Sequence, residues 1–424
     1  MEHLLFAAYL ILFAWLVTII PFFKKSGLTA PQLIIIFLIK IIAGIFYGWI
    51  GVYYGELAQM FDTWAYHYEG VKAYEVLKIS RSAYWEGLFG NNYEGYGNFF
   101  SSQNSWWNDL HNNAFIMLLS LFDFLSIGNY YTNVIFYSFL TFFGPIGLYR
   151  LMCDVFPEKK HLVLLVTFLL PSFIYWTSGV HKDGFVFVAF ILITYNIHFG
   201  LRNNQLSKRS GLIILGLLLL LILRNFLLMV FLPALVAWIL SYKSKKTPVL
   251  IFVGVYAVSI LLFFTTRYIS PSLDFPQLVA EKQKNFISLK GGSPVPVNEL
   301  KPSPTSFLKN APQALGLTLL RPYPSDVKHL LSLAASVETY LLLFCFLIYL
   351  FWRNKKPKGP FLLFCIFFSF SILLTIGYTV NFLGAIVRYR SIVLPFLVIP
   401  MIASINWQKF FNAINRNIRI YSNS

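Results

Sequence analysis

The chain has 424 residues, 57% of them hydrophobic and 12% charged, with a formal net charge of +17 and a mean hydropathy of +0.65. That composition reads as an integral membrane protein; the alternating ten-residue segments of a β-barrel are absent, which leaves an all-α, polytopic helical bundle. The positive charge sits in short connections between apolar runs, so it calls for no nucleic-acid partner and fits a cytoplasmic Lys/Arg excess in contact with anionic lipid headgroups.

Apolar runs of roughly 15 to 23 residues recur along the chain, long enough to cross a bilayer as helices. The first begins almost at Met1, without a basic leader or a small-residue cleavage site, so a retained helix is expected there. About eleven spans are expected, near 3–23, 31–54, 129–151, 161–177, 184–200, 211–223, 226–241, 248–267, 331–352, 360–380 and 391–406. Lys24-Lys25, Lys159-Lys160, Arg202 to Arg209, Lys243 to Lys246 and Arg353 to Lys358 then all read as cytoplasmic, with the N-terminus outside and the basic tail from Trp407 inside. The run 114–127 cannot cross without inverting the connections C-terminal to it, so a partial or interfacial helix is expected. The pair 211–223 and 226–241 reads as a tight hairpin with Arg224-Asn225 at its outer tip. The chain thus divides into two first spans (1–54), a first extracytoplasmic loop (55–128), central spans (129–267), a second loop (268–330) and three last spans with the tail (331–424). The second loop is rich in Pro, Lys, Ser and Gly and should hold one or two short helices. Cys153, Cys345 and Cys365 have neither metal-ligand nor disulfide spacing and read as packing residues.

Polar groups concentrate at one face of this scheme. The first loop opens with Phe61-Asp62-Thr63-Trp64-Ala65-Tyr66-His67-Tyr68-Glu69, three titratable groups among aromatic rings. Lys182 and Asp183 lie between the fourth and fifth spans, Arg224 tips the hairpin, Arg321 stands in Leu320-Arg321-Pro322-Tyr323-Pro324, and Arg388 and Arg390 close the set. Five cations at a bilayer face need an anionic partner, and phosphate or pyrophosphate suits a guanidinium fork. Interfacial snorkelling is the competing reading of each arginine. Asp62 is either a cap or ion-pair partner, or a general base taking a proton from an acceptor hydroxyl. His67 is either a packing histidine or, with Asp62 or Glu69, a ligand for a divalent cation. Trp64, Trp85, Trp106 and Trp107 are candidates for stacking on a sugar.

Asp62-Thr63-Trp64-Ala65-Tyr66-His67 after the second span resembles the GT-C superfamily of polyprenyl-phosphate-dependent glycosyltransferases. The stretch from Pro171 to Asp183 and the closing Gly384-Ala385-Ile386-Val387-Arg388-Tyr389-Arg390 are similar to patterns in bacterial multi-span transferases of envelope polysaccharide pathways. The resemblance covers about 55–400 through short, degenerate motifs. It implies a GT-C-like fold, a bacterial inner-membrane location, an outward-facing site and a polyprenyl-phosphate-linked sugar donor with a glycan or lipid-linked acceptor. It also implies Asp62 as the first-loop acid, with some of Lys182, Arg224, Arg321, Arg388 and Arg390 on the phosphate. Many members pair Asp with Glu at the loop start; here Thr63 stands next, so a second acid would be Glu69 or Asp109. No large soluble C-terminal domain is present, which argues against the oligosaccharyltransferase branch. The implied chemistry is an inverting displacement in which Asp62 deprotonates the acceptor and the cations stabilise the departing lipid phosphate. An O-antigen-type polymerase or ligase, a lipid-linked oligosaccharide flippase and an assembly scaffold are the alternatives.

Overall fold

The computed structural model describes residues 2–53, 62–90, 96–100, 105–354 and 359–422. Their regular structure is helical, in the order α1 (Glu2–Ile19), α2 (Pro21–Lys24), α3 (Ala30–Tyr53), α4 (Asp62–Ile79), α5 (Arg81–Phe89), α6 (Trp106–Ser126), α7 (Tyr130–Val155), α8 (Lys160–Leu169), α9 (Pro171–Ser178) and α10 (Lys182–Arg202). Next come α11 (Leu206–Lys243), α12 (Pro248–Thr265), α13 (Phe275–Ser288), α14 (Pro304–Leu319), α15 (Leu330–Trp352), α16 (Pro360–Thr379), α17 (Leu383–Ser391), α18 (Leu394–Ala403) and α19 (Trp407–Ser422). Starts reflect local chemistry: Ser105, Asn129, Asp274 and Ser303 each accept from the backbone amide three residues on, and Pro248, Pro304 and Pro360 begin their helices where an N–H would have no partner.

Among the described residues, eight helices are long and apolar enough to cross a membrane, and up to ten crossings result if the bent pairs α8–α9 (48°) and α17–α18 (62°) each form one. The remaining difference from the expected eleven lies in α11, whose 38 residues are interrupted at Arg224 by an extended backbone (φ −156°, ψ 82°). A straight helix would separate Gly216 from Trp238 by about 33 Å. Yet a Cβ on Gly216 would touch Ile193 at 2.7 Å, while the Trp238 ring lies 6.3 Å from His198, only five residues along α10. Between them Phe231 packs on Phe190 with ring centroids 5.0 Å apart. The two arms therefore double back along α10, as the interruption by Arg224-Asn225 predicts.

The bundle has two unlike ends. At one, His198 and Arg202 of α10 meet Asp154 of α7, beside the basic connections at the ends of α7, α10 and α11. At the other lie α4 to α6, α13 and α14. The expected partial helix at 114–127 starts earlier, at Trp106, and exposes Leu121, Phe124 and Leu125 on one side. The second expected loop is helical at α13 and α14, and α14 lies so close on α16 that any side chain at Gly377 would run into the Ala314 backbone. At the centre, α7 and α10 are largely buried, whereas α1 and α12 each bury only one residue fully, Val17 and Phe252, as peripheral helices in lipid would.

Candidate functional site

The site is assembled around the break between α9 and α10. Gly179 and His181 are extended, which ends one helix and starts the next. The loosened backbone is held from three sides. Lys40 of α3 donates to the Thr177 carbonyl (2.8 Å), an orphan of the α9 C-terminus. Tyr137 of α7 donates to the His181 carbonyl (2.7 Å) and accepts from the Gly184 amide (3.0 Å). Thr63 donates to the Val180 carbonyl (3.0 Å), which pins the first turn of α4 to this segment. Asp62 and Asp183, 121 residues apart in the chain, are thereby fixed as neighbours.

Asp183 is completely buried, and an arginine occupies each of its oxygens. Arg224 Nη2 donates to Oδ1 (2.7 Å) and Arg388 Nε to Oδ2 (2.6 Å), with His181 Nδ1 3.2 Å from Oδ2. Arg388 Nη1 also donates to Asp62 Oδ2 at 2.7 Å. The two carboxylates joined by this guanidinium differ in access: the Asp183 side chain is 0% exposed and that of Asp62 57%. Lys182 donates to Asn112 Oδ1 (2.6 Å), tying α10 to α6. Rings flank the cations: Arg224 lies 4.7 Å from the Tyr389 centroid, and Arg388 5.8 Å from those of Trp176 and Tyr389.

Several expected members stand elsewhere. Arg390 is buried and donates to the Thr318 and Arg321 carbonyls (2.9 and 2.6 Å) and to Thr339 Oγ1 (2.6 Å). Two residues along a helix is a turn of about 200°, so Arg388 and Arg390 leave opposite sides of α17. Arg321 pairs with Asp326 at 3.6 Å and, among the described residues, has no bond to Asp62 or Asp183. Asp183, one of the polar groups expected at this face, is buried and holds the two arginines in place. His67 sits about 140° round α4 from Asp62 and points inward, its Nδ1 3.5 Å from Asp123 Oδ1. Burial pushes its imidazole down to about 4 and lifts the Asp123 carboxyl to about 6. Glu69 is exposed, two turns from Asp62, and pairs with Lys72 at 2.6 Å. Neither joins Asp62 in a cation site, and no cluster of three or more His, Cys, Asp or Glu able to hold a metal occurs among the described residues. Trp64 is committed to packing, donating to the Gly48 carbonyl (2.9 Å) and stacking on Tyr130 at 4.1 Å.

Lys282 of α13 is a member that the sequence does not single out. It lies over the Phe226 ring at 3.5 Å and, with Arg224, lines a cleft that holds about 510 Å³ of empty space including its mouth. Nothing in its Lys-rich polar segment sets it apart from Lys284 or Lys290; only the approach of α13 to the α11 reversal does. No known protein family, curated protein or solved structure matches this chain. Its chemistry therefore rests on the geometry: two carboxylates of opposite accessibility, Arg224, Arg388 and Lys182 beside them, and an apolar cleft opening next to the pair.

Proposed function

We propose that the chain is a membrane glycosyltransferase, crossing the bilayer eleven times when both arms of α11 and both bent pairs are counted. It moves a sugar from a polyprenyl-phosphate-linked donor to an acceptor hydroxyl at the extracytoplasmic face of a bacterial inner membrane. The observation that carries this reading is the Arg388 bridge between exposed Asp62 and buried Asp183. It sets a carboxylate with access to solvent one guanidinium away from cations suited to phosphate.

In the proposed step Asp62 takes the acceptor O–H proton, and the acceptor oxygen bonds to the anomeric carbon as the bond from that carbon to the phosphate oxygen breaks. The electron pair leaves on the lipid phosphate, whose added negative charge meets Arg388 and Arg224. One displacement inverts the anomeric centre. Asp183, with an arginine on each oxygen and no exposure, takes no part in proton transfer.

The same ion pair also supports a second reading. In an O-antigen-type polymerase or ligase, Asp62 would serve only to orient Arg388. A flippase fits less well, because the charges buried in the spans are tied down locally: Lys40 to the Thr177 carbonyl and Glu338 to the Ser172 amide (3.0 Å). Asp62→Asn separates the first two. In vesicles supplied with a radiolabelled polyprenyl-phosphate sugar, transfer should fall about 10²- to 10⁴-fold with donor binding retained. Transfer at the wild-type rate would remove Asp62 as base and leave the second reading.

A further inference from the structure

The cleft beside the arginine pair has a composition that the transfer step alone does not explain. Its mouth carries Arg224, Lys282 and Tyr389, and its walls are Phe226, Leu227, Ile372, Ile376, Ile392 and Val393. The threonines on the α16 wall add no polarity, because Thr375 and Thr379 each donate to the carbonyl four residues back (2.8 Å). From Thr379 at the mouth to Ile372 the wall descends seven residues, about 10 Å along α16. On the facing side Phe190 lies equally far below Asp183 on α10. Lys282 is half-buried, and its described contact is the Phe226 ring. Burial and the charge of Arg224 hold its amine down at about 7. An ammonium at the rim of an apolar slot, next to a guanidinium, is costly unless an anion is drawn to it.

We infer that Lys282 and Arg224 form a seat for the phosphate of a single-chain prenyl phosphate whose first isoprene units lie in the cleft. The lining residues run about 10 Å along α16, the length of roughly two extended isoprene units of about 5 Å each. Only the phosphate-proximal end of the lipid is then read, and longer chains run out into the bilayer. Charge complementarity selects a phosphate over a neutral prenol, and the apolar wall selects a prenyl phosphate over free phosphate. The inference deepens the transferase reading, naming the handle by which the donor is held and bringing Lys282 of the second loop to the same anion as Arg224 of the membrane hairpin.

The test uses the purified full-length protein in detergent and measures binding without sugar transfer, so it fails or succeeds separately from the role of Asp62. The probes are farnesyl phosphate, geranyl phosphate, farnesol, inorganic phosphate and phosphatidic acid. Farnesyl and geranyl phosphate should bind within a fewfold of each other, and farnesol, inorganic phosphate and phosphatidic acid at least about tenfold more weakly. Lys282→Met should weaken farnesyl phosphate binding at least about tenfold, and Lys284→Met should leave it unchanged. On unaltered protein, farnesyl phosphate should protect Lys282, and not Lys284, from a lysine-acylating reagent read by mass spectrometry. Equal binding of inorganic phosphate would reduce the cleft to a cation site. Equal binding of phosphatidic acid would make it a general headgroup site. Absence of Lys282 protection would overturn the inference even if Lys282→Met failed to fold.

Discussion

Two arginines on the short helix α17 show how differently one side-chain type is used at the two edges of this site. Arg388 is held by carboxylates, one buried and one exposed, next to aromatic rings and the mouth of a cleft. Arg390 is held by two carbonyls and a hydroxyl deep between α14, α15 and α17. A guanidinium paired to an accessible acid can exchange that partner for an incoming phosphate. One wrapped in backbone carbonyls fastens the second loop to the bundle and has nothing to exchange. The helical period separates the two roles; closeness in sequence does not.

Substitution should separate them too. Arg388→Ala should lower transfer about 10³-fold, near 4 kcal/mol of barrier, more than it lowers the thermal unfolding midpoint in detergent. If loss of stability accounted for the whole loss of transfer, Arg388 would belong with Arg390. Arg390→Met should act the other way. Orphaning the Thr318 and Arg321 carbonyls should cost about 3 kcal/mol of stability, while transfer per folded molecule stays within a fewfold of wild type.

The smallest effect concerns His67 and Asp123, buried and structural like Arg390. With its carboxyl lifted to about 6, Asp123 contributes stability at low pH that is lost as pH rises through 6. With its imidazole pushed down to about 4, His67 contributes stability above its ordinary value that is lost as pH falls towards 4. The two slopes nearly cancel: folded or unfolded, the pair holds about one proton across this range, on Asp123 when folded and on His67 when unfolded. Asp123→Asn should therefore give a protein whose unfolding midpoint falls on acidification from pH 6.5 to 4. His67→Gln should give one whose midpoint falls as pH rises from 4 to 6. Each swing should be on the order of 2 kcal/mol, and parallel profiles in the two variants would show that the pair is not coupled in this way.

Hydropathy and the placement of lysine and arginine made the long apolar helices legible, and the α11 reversal with them, because a cation and an amide, Arg224-Asn225, interrupt an otherwise apolar run. Asp62, Lys182, Arg224 and Arg388 were legible for the same reason. What stayed hidden was partnership. Nothing local says that Asp183 faces two arginines while Arg390 faces carbonyls, since this depends on which side of a helix meets which neighbour. His67 and Glu69 drew notice by proximity to Asp62, and the rotation of α4 sends one into the interior and leaves the other on the surface two turns away. Lys282 was hidden for the opposite reason: one lysine among several in a polar stretch acquires meaning only from the wall it leans on.

The residue that turns the chain back in α11 is also the one that carries the charge. Most connections between helices absorb added or deleted residues as slack. Here a single residue makes the corner, so the phase of both arms determines where the guanidinium points. One residue inserted between Gly211 and Leu223 would advance that phase by about 100° and swing Arg224 away from Asp183. This corner should therefore accept changes of side chain in either arm far more readily than any change in their length.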